Sequence, residues 1–164
     1  MENNNVSLGP CAARARASDK GSVIRDIAHR IASALGLPSV ETVVEALERR
    51  EELGSTGLEN GVAVPHCSVE EVDRFVVGMI TLDQPIDFGA IDGRPSDIFV
   101  YIAGPGRRRD EHVRILAAIT SSLRRAEVRE RARKATDDNV LIDILSSGIA
   151  PDETDRGPSS LMTI

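Results

Sequence analysis

Strand and helix signals alternate along the 164 residues and predict a single α/β domain. The expected architecture is a three-layer sandwich, a small, mostly parallel mixed sheet with helices on both faces. Three observations carry this expectation. Ile98 to Ala103 is a continuous apolar run of strand length, suited to the buried centre of a sheet. Val23, Ile24, Ile27, Ile31, Ala34 and Leu35 recur at helical spacing and mark a helix with one apolar stripe. No internal repeat or interior linker breaks the chain, so one domain accounts for its length. Residues 1–9 are expected to be a flexible N-terminus, 10–147 the folded domain, and 148–164 a disordered tail rich in Pro, Asp, Ser and Gly.

The elements follow in order. Cys11 to Ala17 alternates with Arg14 and Arg16 on one parity, as in a half-exposed strand. Ser18 and Asp19 offer an N-cap to the first helix, and Gly36 stops it. After Pro38 and Ser39, Val40, Val43, Val44 and Leu47 form the stripe of a second helix, with Gly54 where a C-terminal glycine belongs. A glycine-rich loop, Gly54 to Gly61, precedes a short strand Val62-Ala63-Val64 that ends in Pro65-His66. Phe75 to Leu82 reads as a longer strand. Gln84 to Ser96 reads as irregular, with turn chemistry at Asp92-Gly93 and Pro95. Beyond the Ile98–Ala103 strand and the break at Gly104-Pro105-Gly106, Asp110 is placed to cap a third helix bearing Ile115, Leu116, Ile119 and Leu123. Residues 127–135 and 139–145 read as two further short helices.

Composition narrows the function classes. Aromatic residues are 2% of the chain and Trp is absent, so the core must be aliphatic. The formal charge of −6 argues against nucleic acid as the main partner, because phosphate backbones want a basic surface, and is compatible with a basic protein partner. No apolar run reaches membrane-spanning length. The polar first ten residues lack a signal core, and two cysteines make no disulfide framework, so a reducing, cytoplasmic location is expected.

Three histidines can be weighed individually. His29 lies about 200° around its helix from Ile27 and is expected at the surface. His66 follows an apolar strand and a proline that restrains the backbone, which presents its imidazole at a sheet end, where α/β domains hold their sites. A structural histidine fits the same position. His112 lies three and four residues before Ile115 and Leu116, on the apolar side of the first turn of its helix. A neutral imidazole donating to a phosphate suits it, and so does a buried histidine bonded to a backbone carbonyl. Arg50 sits about 70° from the centre of its helix's apolar face, where a guanidinium can reach a cleft and grip phosphate with a planar fork, or can simply extend along apolar surface. The amides of the Gly54–Gly61 loop and the hydroxyls of Ser55 and Thr56 could surround an anion, although no Gly-Lys-Ser/Thr of a nucleotide P-loop follows.

In combination these segments point further. Arg50-Glu51-Glu52-Leu53-Gly54-Ser55-Thr56-Gly57, then Gly61-Val62-Ala63-Val64-Pro65-His66-Cys67, resembles the active-site signature of the IIA proteins of the bacterial phosphoenolpyruvate-dependent sugar phosphotransferase system, mannitol/fructose branch, which includes the nitrogen-regulatory IIA proteins. Ile86-Asp87-Phe88, Ile91-Asp92-Gly93, Glu111-His112 and Ile115-Leu116 look like the same family, and the resemblance runs from about Ala17 to Gly148. It implies an α/β sandwich with His66 as the phosphorylated residue, Arg50 supporting the phosphohistidine, His112 as a second active-site histidine, and Ser55 and Thr56 bordering the site. It further implies the small histidine-containing phosphocarrier protein as donor, and a IIB cysteine or a regulatory target as acceptor, with no cofactor. The nitrogen-type use, in which phosphorylation state controls other proteins, is favoured by the lack of an attached IIB or IIC segment, and a separate sugar-specific IIA chain would look the same. Two departures stand out. Cys67 replaces the commoner glycine and places a thiol beside the site, with a bearing on redox sensitivity. Arg107, Arg108 and Arg109 have no counterpart in the family pattern and bear on partner choice if they flank the site.

Two remote alternatives use other chemistry. A Cys-His hydrolase would pair Cys67 with His112 or His66, although neighbours on an extended chain point apart. A zinc site would draw on Cys11, His66, Cys67 and His112, whose spacing fits no recognised pattern.

Overall fold

The structure, a computed structural model, describes residues 5–150. Its elements are β1 (Val6–Leu8), β2 (Ala12–Ala15), α1 (Lys20–Leu35), α2 (Val40–Glu52), β3 (Val62–Ala63), β4 (His66–Ser68), β5 (Phe75–Ile86), β6 (Ser96–Gly104), α3 (Arg109–Leu123), α4 (Ala126–Lys134) and α5 (Asp138–Ile149). β5 and β6 form an antiparallel centre. β1 and β2 pair in parallel with β5, and β3 and β4 in parallel with β6. The sheet is therefore mixed and mostly parallel, with helices on both faces, as the pattern predicts.

Strand alternation divides the core in two. Val76 and Ile80 of β5 with Phe99 and Tyr101 of β6 face α1 and α2. Phe75, Val77 and Met79 with Ile98, Val100 and Ile102 face α3, α4 and α5. The continuous apolar run of β6 is needed because both faces of that strand are covered. α1 begins on a capping box, in which Asp19 accepts from the Ser22 N–H and Ser22 answers at the Asp19 backbone, and it ends on Gly36 at φ 65°.

Several boundaries differ from the sequence reading. Val6–Leu8, expected to be flexible, pairs with Phe75–Val77; three residues at a polar terminus carry too little periodicity to announce a strand. Residues 1–4 and 151–164, which include most of the expected tail, lie outside the described residues, and α5 continues through Ile149, past the expected boundary at 148. β5 extends to Ile86, beyond the expected end at Leu82, because Ile86 still pairs with Ser96. The chain does not leave the sheet at Pro65-His66: it resumes at once as β4. Arg108, not Asp110, occupies the N-cap of α3. Asp110 lies in the first turn, where a negative charge suits the helix dipole.

Ile31 is fully buried beneath the sheet. Ile31→Ala should lower the unfolding free energy by about 2–5 kcal/mol, read by urea denaturation, with the helical content of the folded state unchanged.

Candidate functional site

Pro65 has no N–H to give the ladder, so it separates β3 from β4, yet its carbonyl accepts from the Ile102 N–H (3.2 Å) and the register with β6 is kept. His66 consequently stands on the α3 side of the edge strand, while Cys67 enters the core under α1 and α2. The His66 Nδ1 lies 2.8 Å from the Val64 carbonyl. A carbonyl only accepts, so Nδ1 carries the proton and Nε2 keeps a lone pair. Arg50, on the last turn of α2, donates from Nε to that Nε2 at 3.2 Å and from Nη1 to the Gly54 carbonyl at 2.9 Å.

His112 comes from the first turn of α3, whose backbone N–H donates to the Arg108 carbonyl. Its ring meets His66 edge-on, with centroids 5.3 Å apart and planes at 69°. Phe75 backs His112 at 5.8 Å and 88°, and can do so because Gly104 beneath it has no side chain: a Cβ there would collide with the Phe75 ring. His112 Nε2 is buried and has no hydrogen-bond partner among the described residues, so the carbonyl-bonded alternative does not hold for that nitrogen. Burial, and then the neighbouring His66, lowers the His112 pKa to about 4. Burial also lowers that of His66; the Val64 bond pulls the other way and the Arg50 guanidinium lowers it further. Both rings are thus held neutral.

The glycine-rich loop is arranged differently from a simple anion cradle. Ser55 Oγ donates to the Phe88 carbonyl (2.6 Å) and accepts from the Gly57 N–H (3.0 Å). The Thr56 N–H donates to the Glu51 carboxylate, 3.2 Å from each oxygen, and Thr56 Oγ1 is buried with no partner among the described residues. These donors hold the loop in place and do not point outward. Glu51 is nearly inaccessible, its side chain 6% exposed, and pairs with Lys20 Nζ at 2.9 Å. Lys20 in turn lies over the Phe88 ring and donates to its carbonyl. Gly57 has to be glycine because a Cβ would come within 2.8 Å of the Ala90 Cα.

The structure brings Arg50, His66 and His112 together, with Ser55 and Thr56 in the adjoining loop. It leaves His29 exposed on α1. It adds Glu51, Lys20 and Phe75, which sequence reasoning did not single out: Glu51 was visible within the motif, but its partner is 31 positions away on another helix. The expectation of a redox-sensitive thiol beside the site is corrected. Cys67 is buried on the opposite face, and burial pushes its pKa up to about 12, away from the reactive thiolate. Cys11 lies in the core on the α3 side, so the proposed four zinc ligands are split across the sheet, and Cys67 turns away from both histidines. The arginine triplet leads into the helix that carries His112: Arg107 and Arg109 are exposed, and Arg108 Nη1 donates to the Asp73 carbonyl (2.7 Å).

The family model described as "Phosphoenolpyruvate-dependent sugar phosphotransferase system, EIIA 2" matches residues 12–148. The chain belongs to this family. A nitrogen regulatory protein of Pseudomonas aeruginosa is 37% identical over 126 residues, 77% of this chain and 82% of the relative. The crystal structure of the nitrogen regulatory protein IIA-Ntr from Neisseria meningitidis superposes with a TM-score of 0.80 at 26% identity, over 86% of this chain and 96% of the other. The complex of IIA mannitol with phosphorylated IIB mannitol from Escherichia coli, 21% identical with a TM-score of 0.71 over 87% of this chain and 99% of the other, shares the fold.

The depressed histidines make a pH prediction. The unfolded chain binds protons as pH falls through about 6.5, whereas folded His112 resists to about 4. Stability should therefore fall as pH drops from about 6.5 to about 4. Proton NMR should place both imidazole midpoints below 6.5, and His112→Gln should flatten the pH dependence of urea unfolding across that window.

Proposed function

We propose that this chain is a phosphocarrier in which His66 Nε2 takes a phosphoryl group from the phosphohistidine of a histidine-containing phosphocarrier protein and passes it on. The observation that carries the reading is the state of His66: Nδ1 is bonded to the Val64 carbonyl, and the lone pair on Nε2 accepts from the Arg50 guanidinium with a second imidazole edge-on to the ring. In the transfer a bond forms from Nε2 to phosphorus as the donor's nitrogen–phosphorus bond breaks, and Nδ1 keeps its proton. Arg50 must give up its contact with the lone pair, and its N–H groups move to the phosphoryl oxygens. His112 Nε2, in its protonated tautomer, donates to another of these oxygens. Both groups act where charge is spread over the transferring phosphoryl, which dominates catalysis of such transfers. Ser55 and Thr56 border the site by fixing the loop. No cofactor is required.

Likeness to the nitrogen regulatory proteins supports a regulatory use of the phosphorylation state in the cytoplasm. The second reading is transfer to a IIB cysteine in sugar transport, supported by the shared fold of a IIA protein solved with its phosphorylated IIB. Offering the phosphorylated chain a purified IIB domain separates them: rapid loss of label to a cysteine supports transport.

Incubation with phosphoenolpyruvate, enzyme I and the carrier protein should put acid-labile phosphate on the chain and none on His66→Ala. Label on the alanine variant would move the acceptor elsewhere. Arg50→Ala and His112→Ala should still be labelled, roughly ten- to a hundredfold more slowly, as expected for losing about 1.5–3 kcal/mol of a charge-assisted contact.

A further inference from the structure

Val64 is held from outside the sheet. β6 takes the residues on either side of it, through the pairing of Ala63 with Phe99 and the Ile102 N–H donated to the Pro65 carbonyl. Val64 itself turns the other way. Its N–H donates to the Thr56 carbonyl at 3.0 Å, and its carbonyl accepts from His66 Nδ1 at 2.8 Å. The carbonyl that selects the His66 tautomer is therefore placed from the loop side, by residue 56.

Residue 56 is in turn held by a charge. Thr56 is buried, and its N–H donates to the Glu51 carboxylate, 3.2 Å from each oxygen. The Glu51 side chain is nearly inaccessible, and a carboxylate in such a place is costly without a cation beside it. Lys20 Nζ supplies that cation, 2.9 Å from Oε1. Lys20 is itself fixed: it donates to the Phe88 carbonyl at 3.3 Å and lies 4.5 Å from the centroid of the Phe88 ring. Arg50 is the neighbour of Glu51 in the chain, yet it enters no ion pair among the described residues. With Lys20 as its partner, Glu51 leaves the Arg50 guanidinium to His66 Nε2 and the Gly54 carbonyl. One line of contacts thus runs from Lys20 on α1 through Glu51, Thr56 and Val64 to the His66 ring.

We propose that Lys20 and Glu51 are positioning residues for the phosphoryl transfer: Lys20 holds the Glu51 carboxylate against the Thr56 N–H, which keeps the Val64 carbonyl where it locks the proton on His66 Nδ1 and leaves Nε2 to attack. This role rests on the phosphocarrier reading. Neither residue touches the phosphoryl group; both act through the backbone of residues 56 and 64. Without the Lys20 charge the carboxylate turns toward water and the buried Thr56 N–H loses its acceptor. Residue 56 then shifts, the Val64 carbonyl shifts with it, and the His66 ring samples both tautomers.

The test combines nitrogen NMR of the imidazoles in the full chain, at about pH 8 where ordinary imidazoles are neutral, with the rate of labelling by the phosphorylated carrier protein. In the wild type His66 should show one tautomer, with its proton on Nδ1. Lys20→Met keeps the stem over Phe88 and removes the charge; Glu51→Gln keeps an acceptor oxygen and removes the charge. Each should populate the Nε2–H tautomer and slow labelling roughly tenfold, the loss expected when about a tenth of the molecules hold the productive arrangement. Lys20→Arg should recover the tautomer and most of the rate. Ile144→Val, in the core layer on the α3 side, lowers stability without touching this line of contacts and should leave both readouts unchanged. Lys20 is 33% exposed and tolerates substitution, so the two Lys20 variants decide the matter if Glu51→Gln does not fold. A wild-type tautomer in Lys20→Met, slowed labelling with no change of tautomer, or an equal tautomer shift in Ile144→Val would overturn the positioning role and leave His66 as the acceptor. A wild-type chain that takes no label from the carrier would overturn the phosphocarrier reading itself; the tautomer readout needs no donor and would still show whether Lys20 reaches His66.

Discussion

The 2.8 Å contact between His66 Nδ1 and the Val64 carbonyl is the constraint on which the site depends. It joins a side chain to the backbone two residues earlier, so it forms only if the chain passes Pro65 in one conformation. It decides which nitrogen holds the proton, and therefore which one keeps a lone pair. Every other group at the site is arranged around that outcome: Arg50 addresses Nε2, His112 stands edge-on to the same ring, and Phe75 fixes His112 from behind. Reversing the tautomer would leave a buried carbonyl without its donor and put an N–H against a guanidinium.

A second layer holds Arg50 and its loop. Lys20 on α1, Glu51 on α2 and the Thr56 N–H form one part-buried chain, and Ser55 ties the same loop to Phe88. The buried carboxylate is tolerable because both its oxygens have partners and a cation lies beside it. Site geometry is thus carried by backbone anchors and a part-buried ion pair, which hold Arg50 and the loop in place.

Much of this was legible in the sequence, for identifiable reasons. The apolar run of β6 and the stripe of α1 announce a covered sheet because burial on both faces leaves no room for polar residues. That Arg50, His66 and His112 lie together was legible only from the motifs in combination, since each alone fits a structural role as well. Lys20 and Phe75 were not, since their roles arise from contacts between elements distant in sequence, and periodicity carries no information about such pairs. β4 was missed because a proline reads as an end; here the carbonyl of Pro65 preserves the pairing that its nitrogen cannot make. The expected reactivity of Cys67 followed from adjacency to His66, yet in a strand adjacent residues face opposite layers.

The glycine-rich loop has a further role at the sheet's margin. β3 lies at an edge, and an edge strand with open N–H and C=O groups invites pairing with another chain. Here the Leu58 N–H donates to the Val62 carbonyl and the Val64 N–H to the Thr56 carbonyl, so residues 56–58 lie along the strand as a short antiparallel cover. The segment beside His66 is therefore also the guard against edge-to-edge aggregation. Swinging this loop open would unmask the strand, so the same few backbone bonds that shape the surroundings of His66 also keep the sheet's margin closed.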